Sequence, residues 1–416
     1  MQRLRFFPAF FFLFLPPILH AQPTSLPLDS VWAYVRRSHP IIKAARAEVS
    51  GAEAEKTGLS VRFPNLPEMD ASMMRVMGGR LYSLTIGGMH TLELRNQVTS
   101  RRTIGEAKVA MAQQVAQGII QKQYAEVRRS YLQAAFAQEK QILLRIKAAE
   151  AKQLHDALKE RFRMGQAAGF DVTMAALDAN RADIAVRQAE IQTEKARRAL
   201  TLVAEMELGP HLKLVVPAMP TALPDDTQLV EIAWQTRAEL KQLTKERDLT
   251  TGLRLLSYQN KTPNLQIGAF FALDNTYLDR FTPVVGLRAA MPLPIRNAGW
   301  YNNGTAEINR LDHELERINF LYEAQKEKIR NEVLTASTQY RLLVETLQLA
   351  QVVEASLAES MAQTEAMYRE KRIDVIQYLA QRTRQHLVKI EHMELMQQAI
   401  LAYAEAELAT GLLPMP

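Results

Sequence analysis

The sequence reads as one unit written twice. Ser38-His39-Pro40-Ile41 lines up with Arg237-Ala238-Glu239-Leu240 at an offset of 199 residues. At the same offset Phe63-Pro64-Asn65-Leu66 lines up with Thr262-Pro263-Asn264-Leu265, and Gly105 with Gly304. The offset then drifts: Glu126-Val127 pairs with Glu332-Val333, Asp171-Val172 with Asp374-Val375, and Gly209 and Gly411 close the two halves. Such self-similarity constrains the fold strongly, because whatever one half builds the other must build beside it. Each half, 22–209 and 229–411, is expected to run short helix, hairpin, long helix, turn, medium helix. Residues 210–228 hold Pro210, Pro217, Pro220 and Pro224, a density that excludes helix and predicts an extended crossover. Residues 412–416 are left as a tail.

Helix dominates the pattern. Arg101–Arg163 and Ala298–Arg369 are proline-free and rich in Ala, Gln, Glu, Lys and Leu. At 1.5 Å per residue each would be on the order of 95–105 Å long, which implies coiled-coil-like packing. Asp29–Arg62 and Asp171–Leu208 are each about half that length, so two of them end to end would match one long helix. Asp171 and Asp374 are expected N-caps of the medium helices, since an aspartate oxygen accepts from the first free N–H groups. Between short and long helix each half turns to strand, at about 66–94 and 264–292. Met69–Val76 and Leu81–Leu94 flank Met77-Gly78-Gly79-Arg80, where the Gly-Gly pair suits a tight hairpin. Tyr82, Leu84 and Ile86 alternate with Ser83, Thr85 and Gly87; Leu265, Ile267, Ala269 and Phe271 alternate with Gln266, Gly268 and Phe270, and Val284–Met291 pairs with them.

Arg3 and Arg5, the proline-broken apolar run Phe6–Leu19, and Leu19-His20-Ala21 read as a signal peptide over 1–21. No later stretch reaches the roughly 18 uninterrupted apolar residues of a spanning helix, so any membrane passage must use strands. There is no cysteine, hence no disulfide framework and no lipidation thiol. Without Arg3 and Arg5 the 51 basic residues become 49 against 45 acidic, a mild +4 that argues against nucleic acid as a partner. Four strands of about ten residues can cross an outer membrane when tilted. They cannot close alone, and an open edge in lipid leaves backbone groups unpaired at several kcal/mol each. Three copies give a closed ring of about 12 strands. The expected fold class is therefore mainly α with a β-barrel portion: four transmembrane strands per protomer in a trimeric barrel, above long antiparallel coiled-coil-like helices.

These features resemble the TolC-type outer-membrane efflux protein family over essentially the whole chain. The resemblance rests on His39-Pro40, Ala238-Glu239-Leu240, Pro64, Pro263, Phe162-Arg163-Met164-Gly165 leading to Asp171-Val172, and Met367-Tyr368 through Asp374-Val375 to Ala409-Thr410-Gly411. It implies a homotrimer with a 12-stranded barrel in outer-membrane lipid and a 12-helix periplasmic tunnel. It also implies docking to a periplasmic adaptor (membrane fusion) protein and to an inner-membrane pump, of the RND type. Pro292-Leu293-Pro294-Ile295-Arg296-Asn297 with Gly299 is similar to the end of the second hairpin in the heavy-metal efflux branch. Where the first half has Gly165 in its turn the second has Lys371, a departure from the pattern.

By the same resemblance, Met164, Gly165 and Gln166, with Arg369, Glu370 and Lys371, form the adaptor-docking tip; read blandly, they are ordinary helix-hairpin turns. Asp374 and Gln377 share a helix face, and the family places acidic residues there at the narrow closed end of the pore; Asp374 is equally a plain N-cap. Met69, Met73 and Met77 share a strand face as weak Cu(I) candidates, soft thioethers that also serve as apolar filler. His386 and His392 lie six apart, no His-Glu-x-x-His, P-loop or Gly-x-Ser-x-Gly occurs, and no cofactor or catalysis is expected. The leading reading is a passive efflux duct for metal ions or drugs. A type I protein-secretion duct, or a periplasmic or surface coiled-coil structural protein, are the alternatives.

Overall fold

The computed structural model describes residues 25–62, 68–75, 82–209, 212–220, 222–274, 282–292 and 304–412. The signal segment, the Met77–Arg80 turn, Pro64, Pro210 and the Leu293–Gly299 motif lie outside the described residues. The element order is β1 (Ser25–Leu26), α1 (Leu28–Ser38), α2 (Pro40–Leu59), β2 (Glu68–Arg75), β3 (Tyr82–Leu92), α3 (Gln97–Arg163) and α4 (Gly169–Ala204). It continues β4 (Lys213–Leu214), α5 (Asp226–Thr236), α6 (Ala238–Asn260), β5 (Leu265–Asp274), β6 (Thr282–Ala290), α7 (Thr305–Arg369) and α8 (Val375–Thr410). No helix among the described residues is long and apolar enough to cross a membrane.

The expected single short helix at 29–62 is two helices. His39 is extended, with φ −64° and ψ 126°, because Pro40 disfavours helical geometry in the residue before it and suits the first helical position after it. Arg237 adopts nearly the same angles, φ −60° and ψ 125°, without a following proline. Its guanidinium donates to the Leu408 and Ala409 carbonyls, both at 3.1 Å, and to Glu332 at 2.9 Å. The last carbonyls of α8, which lack helical partners, thus pin the break between α5 and α6. At the other break Gln123 donates to the Val203 carbonyl near the end of α4 at 3.1 Å.

Positional equivalence differs from the alignment read off the sequence. His39 corresponds to Arg237 and not to Ala238. Gly105 lies inside α3, whereas Gly304 precedes α7; its counterpart is Asn96, and both are left-handed, with φ 48° and 73°. The left-handed residue that ends α4 is Glu205, matching Gly411 after α8, while Gly209 lies beyond. The described part of the crossover, 212–220 and 222–225, holds no helix, with β4 pairing parallel to β1, and α5 begins at Asp226, inside the span expected to be irregular.

The helices stand in rows. Beside the sheet, α3 packs between α2 and α6, and α7 follows α6; toward the opposite end, α3 packs between α4 and α8, and α7 follows α8. At 67 and 65 residues, α3 and α7 each run about 100 Å. The first core lies where α1 and α2 meet α3, with Trp32, Tyr124, Tyr131 and Leu200 fully buried or nearly so. Tyr131 ties the crossover to it, its hydroxyl donating to the Leu26 carbonyl at 2.7 Å and accepting from the Val215 N–H at 2.9 Å. A matching core of Leu229, Leu240, Ile329 and Val333 joins α5, α6 and α7.

Strands β2, β3, β5 and β6 form one antiparallel sheet in that order. Its register sorts the side chains. Met69, Ala71 and Met73 stand opposite Gly88, Ile86 and Leu84, which stand opposite Ala269, Phe271 and Leu273, then Leu287, Val285 and Pro283. Over these rows that face is apolar; His90 stands on it one row further on, opposite Ile267. The other is mixed, with Asp70, Ser72, Ser83, Thr85, Gln266 and Arg288 beside Met74, Phe270 and Val284.

Candidate functional site

Two regions carry features that a simple helical rod does not need: the sheet and the far tip of the helices. On the sheet, the side chains of the apolar face are exposed. Met69 is 84% exposed, Met73 79%, Val285 79% and Leu287 89%, where a water-soluble sheet would bury that face. On the polar face Arg288 of β6 reaches across both central strands to Asp70 of β2. It passes over Gly87, where a Cβ would collide with its guanidinium. The glycine is there because a charge crosses above it. β2 and β6 have no outer strand neighbour among the described residues, so their backbone N–H and C=O groups form two open edges.

At the tip, α3 turns into α4 and α7 into α8 by the same backbone route. Gly165 N–H donates to the Phe162 carbonyl at 3.0 Å and Gln166 N–H to Arg161 at 2.8 Å. Lys371 N–H donates to Tyr368 at 3.1 Å and Arg372 N–H to Met367 at 2.9 Å. These paired bonds are Schellman motifs, which require a left-handed residue just past the helix. Gly165 supplies it at φ 70° and Lys371 at φ 60°, so the departure seen in the sequence leaves the turn geometry unchanged. Met164, Phe162 and Phe170 are exposed at the first turn and Met367 at the second.

Asp374 is the N-cap of α8, its Oδ1 accepting from the Gln377 N–H at 2.7 Å. Asp171 is not a cap. Helix α4 already begins at Gly169, its N-cap is Ala168 with no side-chain bond, and Asp171 lies in the first turn. Measured from the left-handed residues, Ala168 and Asp374 are counterparts, each three positions on. The two hairpins are tied by an apolar cluster of Leu158, Ala175, Val375 and Leu379. Tyr368 and Tyr378 stack beside it, with ring centroids 4.5 Å apart.

Above the tip sits a group of ionisable residues that the sequence pattern did not reveal. Arg382 donates to Glu150 of α3 at 2.5 Å, and buried His386 lies 3.2 Å from the same carboxylate oxygen. Burial alone would raise the Glu150 pKa, but the bond and charge of Arg382, with His386, outweigh it and hold it below the usual carboxylate range. His386 is lowered, first by burial and then by Lys147 and Arg382, against the opposing pull of Glu150. Arg382 and His386 are four apart on one helix face, a signal visible in sequence; Glu150, 232 positions from Arg382, is not. Met69 and Met73 stand on the largely apolar sheet face, opposite Gly88 and Leu84, and Met77 lies outside the described residues. Among the described residues no three His, Asp or Glu side chains are grouped to hold a metal.

Solved structures share this arrangement. CusC superposes with a TM-score of 0.72 at 13% identity, over 92% of each chain. The Campylobacter jejuni CmeC outer membrane channel gives 0.69 at 13% identity, over 92% of this chain and 85% of that one. The fold is that of the TolC-type outer-membrane channels. The open state of the Neisseria gonorrhoeae MtrE outer membrane channel agrees, with 0.70 at 13% identity over 92% and 88%. No protein-family model and no curated protein matches the sequence. Within this TolC-type fold the docking-tip candidates Met164–Gln166 and Arg369–Lys371 fall at the two helix-hairpin turns. The gate candidates Asp374 and Gln377 fall at the start of α8.

Proposed function

We propose that this chain is the outer-membrane exit duct of a tripartite export system in a Gram-negative bacterium. It is a non-enzymatic homotrimer, with a 12-stranded barrel in the lipid and a periplasmic tunnel of helices, built from two copies of one unit per chain. The observation that carries this reading is the two-faced sheet. One face is largely apolar, the other holds the Asp70–Arg288 ion pair, and neither edge has a strand neighbour among the described residues. In lipid the apolar face needs no cover, while the edges must pair with other copies. A coiled-coil rod that spans no membrane would leave that face without a role. The two turns around Gly165 and Lys371 dock a periplasmic adaptor, which links the duct to an inner-membrane pump. Three copies of Asp374 line the closed end and favour cations. Replacing Arg369-Glu370-Lys371 by alanines leaves trimer assembly intact and lowers adaptor cross-linking. The test of the whole reading is native mass of detergent-extracted protein with planar-bilayer recording: three chains and a conducting pore are expected. A conducting monomer overturns it.

A further inference from the structure

Where the end of α8 meets the start of α6, between α3 and α7, the helices leave a cavity of about 760 Å³. Gln121 and Lys122 of α3 stand on one side of it and Lys328 of α7 on the other, with the ends of α6 and α8 between them. Counted from Gln97, this is about 36 Å along α3, roughly a third of its length from the sheet. A volume of this order suits a small organic molecule. The cavity is built inside one chain, so it does not depend on the duct reading.

The repeat shows what is unusual about it. At the equivalent junction of the first half, buried Gln123 of α3 donates to the Val203 carbonyl at the end of α4 at 3.1 Å, and its amide lies 3.3 Å from the His39 ring. Two positions earlier, on the flank of α3 toward α6 and α8, Gln121 is as deeply buried, at 8% exposure. There the end carbonyls of α8 are already taken by Arg237. The Gln121 amide has no hydrogen-bond partner among the described residues, and it lines the cavity. A buried amide left unpaired costs about 1–3 kcal/mol, so a bound group that pairs it is favoured.

The charges around the cavity set the sign of that group. Arg237 holds both Glu239 and Glu332, at 3.1 and 2.9 Å, and Glu405 pairs with Arg129, so the three carboxylates of the lining are already matched. Lys122 has no ion-pair partner among the described residues, and Lys328 comes only to 4.0 Å from Glu332. The unmatched groups are thus two ammonium ions and an amide. We propose that this cavity binds a small organic anion. Its acid group is held by Lys122, Lys328 and the Gln121 N–H, and its apolar body lies against Gly118, Ala336 and Leu408 of the lining.

Equilibrium dialysis of the detergent-extracted full chain against naphthalene-1-sulfonate, corrected with protein-free micelles, reads the site. Saturable binding of one anion per chain is expected, roughly tenfold tighter than that of neutral 1-naphthol or cationic 1-naphthylmethylammonium. Lys122→Gln, at an exposed position, should weaken sulfonate binding severalfold, and Gln121→Met should do the same. Lys140→Gln, whose ammonium is already paired with Glu394, should leave it unchanged, and native mass should match the unaltered chain in every variant. Equal binding of the sulfonate and the naphthol reduces the cavity to an apolar crevice and overturns the anion assignment. A preference for the cation, no saturable binding, or full binding in Lys122→Gln overturns it as well. The unaltered chain alone decides the charge preference, whatever the variants do to folding. None of these results touches the number of chains or the conductance, by which the duct reading stands or falls.

Discussion

Lys371 occupies a backbone position that suits glycine, and the cost should be measurable. At φ 60° a Cβ crowds the following carbonyl, a strain of roughly 1–2 kcal/mol for a residue other than glycine. Its counterpart Gly165, at φ 70°, has nothing within 4 Å of where a Cβ would stand, so the cost at such a turn is conformational and not a clash. Lys371→Gly removes the strain but frees the unfolded chain, which takes back about 0.5–1 kcal/mol. A net gain of about 0.5–1 kcal/mol remains, confined to the tip. Hydrogen exchange reads it directly. The Arg372 amide, bonded to the Met367 carbonyl at 2.9 Å, opens only when the turn frays. It should exchange roughly two- to fivefold more slowly in Lys371→Gly. In Gly165→Ala the Gln166 amide, bonded to Arg161 at 2.8 Å, should exchange faster by a similar factor. If exchange at Arg372 is unchanged or faster in Lys371→Gly, contacts of the lysine side chain outweigh the strain and the reasoning fails.

Asp374→Ala should reduce cation preference and block by multivalent cations in single-channel recordings. Asp171→Ala removes a tip carboxylate without removing a cap, and Asp225→Ala removes a cap, bonded to the Thr227 N–H at 3.3 Å, far from the tip. A change in Asp225→Ala equal to that in Asp374→Ala would reduce the effect to capping, worth about 1 kcal/mol. His386 has a folded-state pKa below its unfolded value of 6.5, so the unfolded chain binds the proton more readily. The stability it contributes is present above pH 6.5 and is lost as pH falls from there through the lower folded-state value. Thermal stability of the trimer should therefore drop over that window by an amount that His386→Gln abolishes; an unchanged pH profile in His386→Gln excludes this histidine as the source. Gly87→Ala should displace Arg288 from Asp70 while leaving the strands paired, since the group it meets is the free end of a flexible side chain. Ion selectivity should shift with trimer yield constant, and loss of the trimer would mean that the ion pair also holds the sheet.

What could be read from the residues depended on whether the signal was local. The long Ala- and Glu-rich runs and the period-two strands act within a few residues and appear near where the pattern put them, whereas the break that Pro40 makes at the start of α2, an equally local signal, was read through as one helix. Asp374 is legible for the same reason: a cap is a contact with the residue three positions on. Asp171 misled because Asp-Val repeats in both halves, while the element that sets the register is the left-handed residue three positions before the cap. Glycine advertises that conformation at position 165 and lysine conceals it at 371. The break at Arg237 was hidden because its cause is α8, more than 170 residues away, whose end carbonyls hold the guanidinium. Glu150 with Arg382 and His386 was hidden likewise, since nothing near position 150 says which helix will lie beside it.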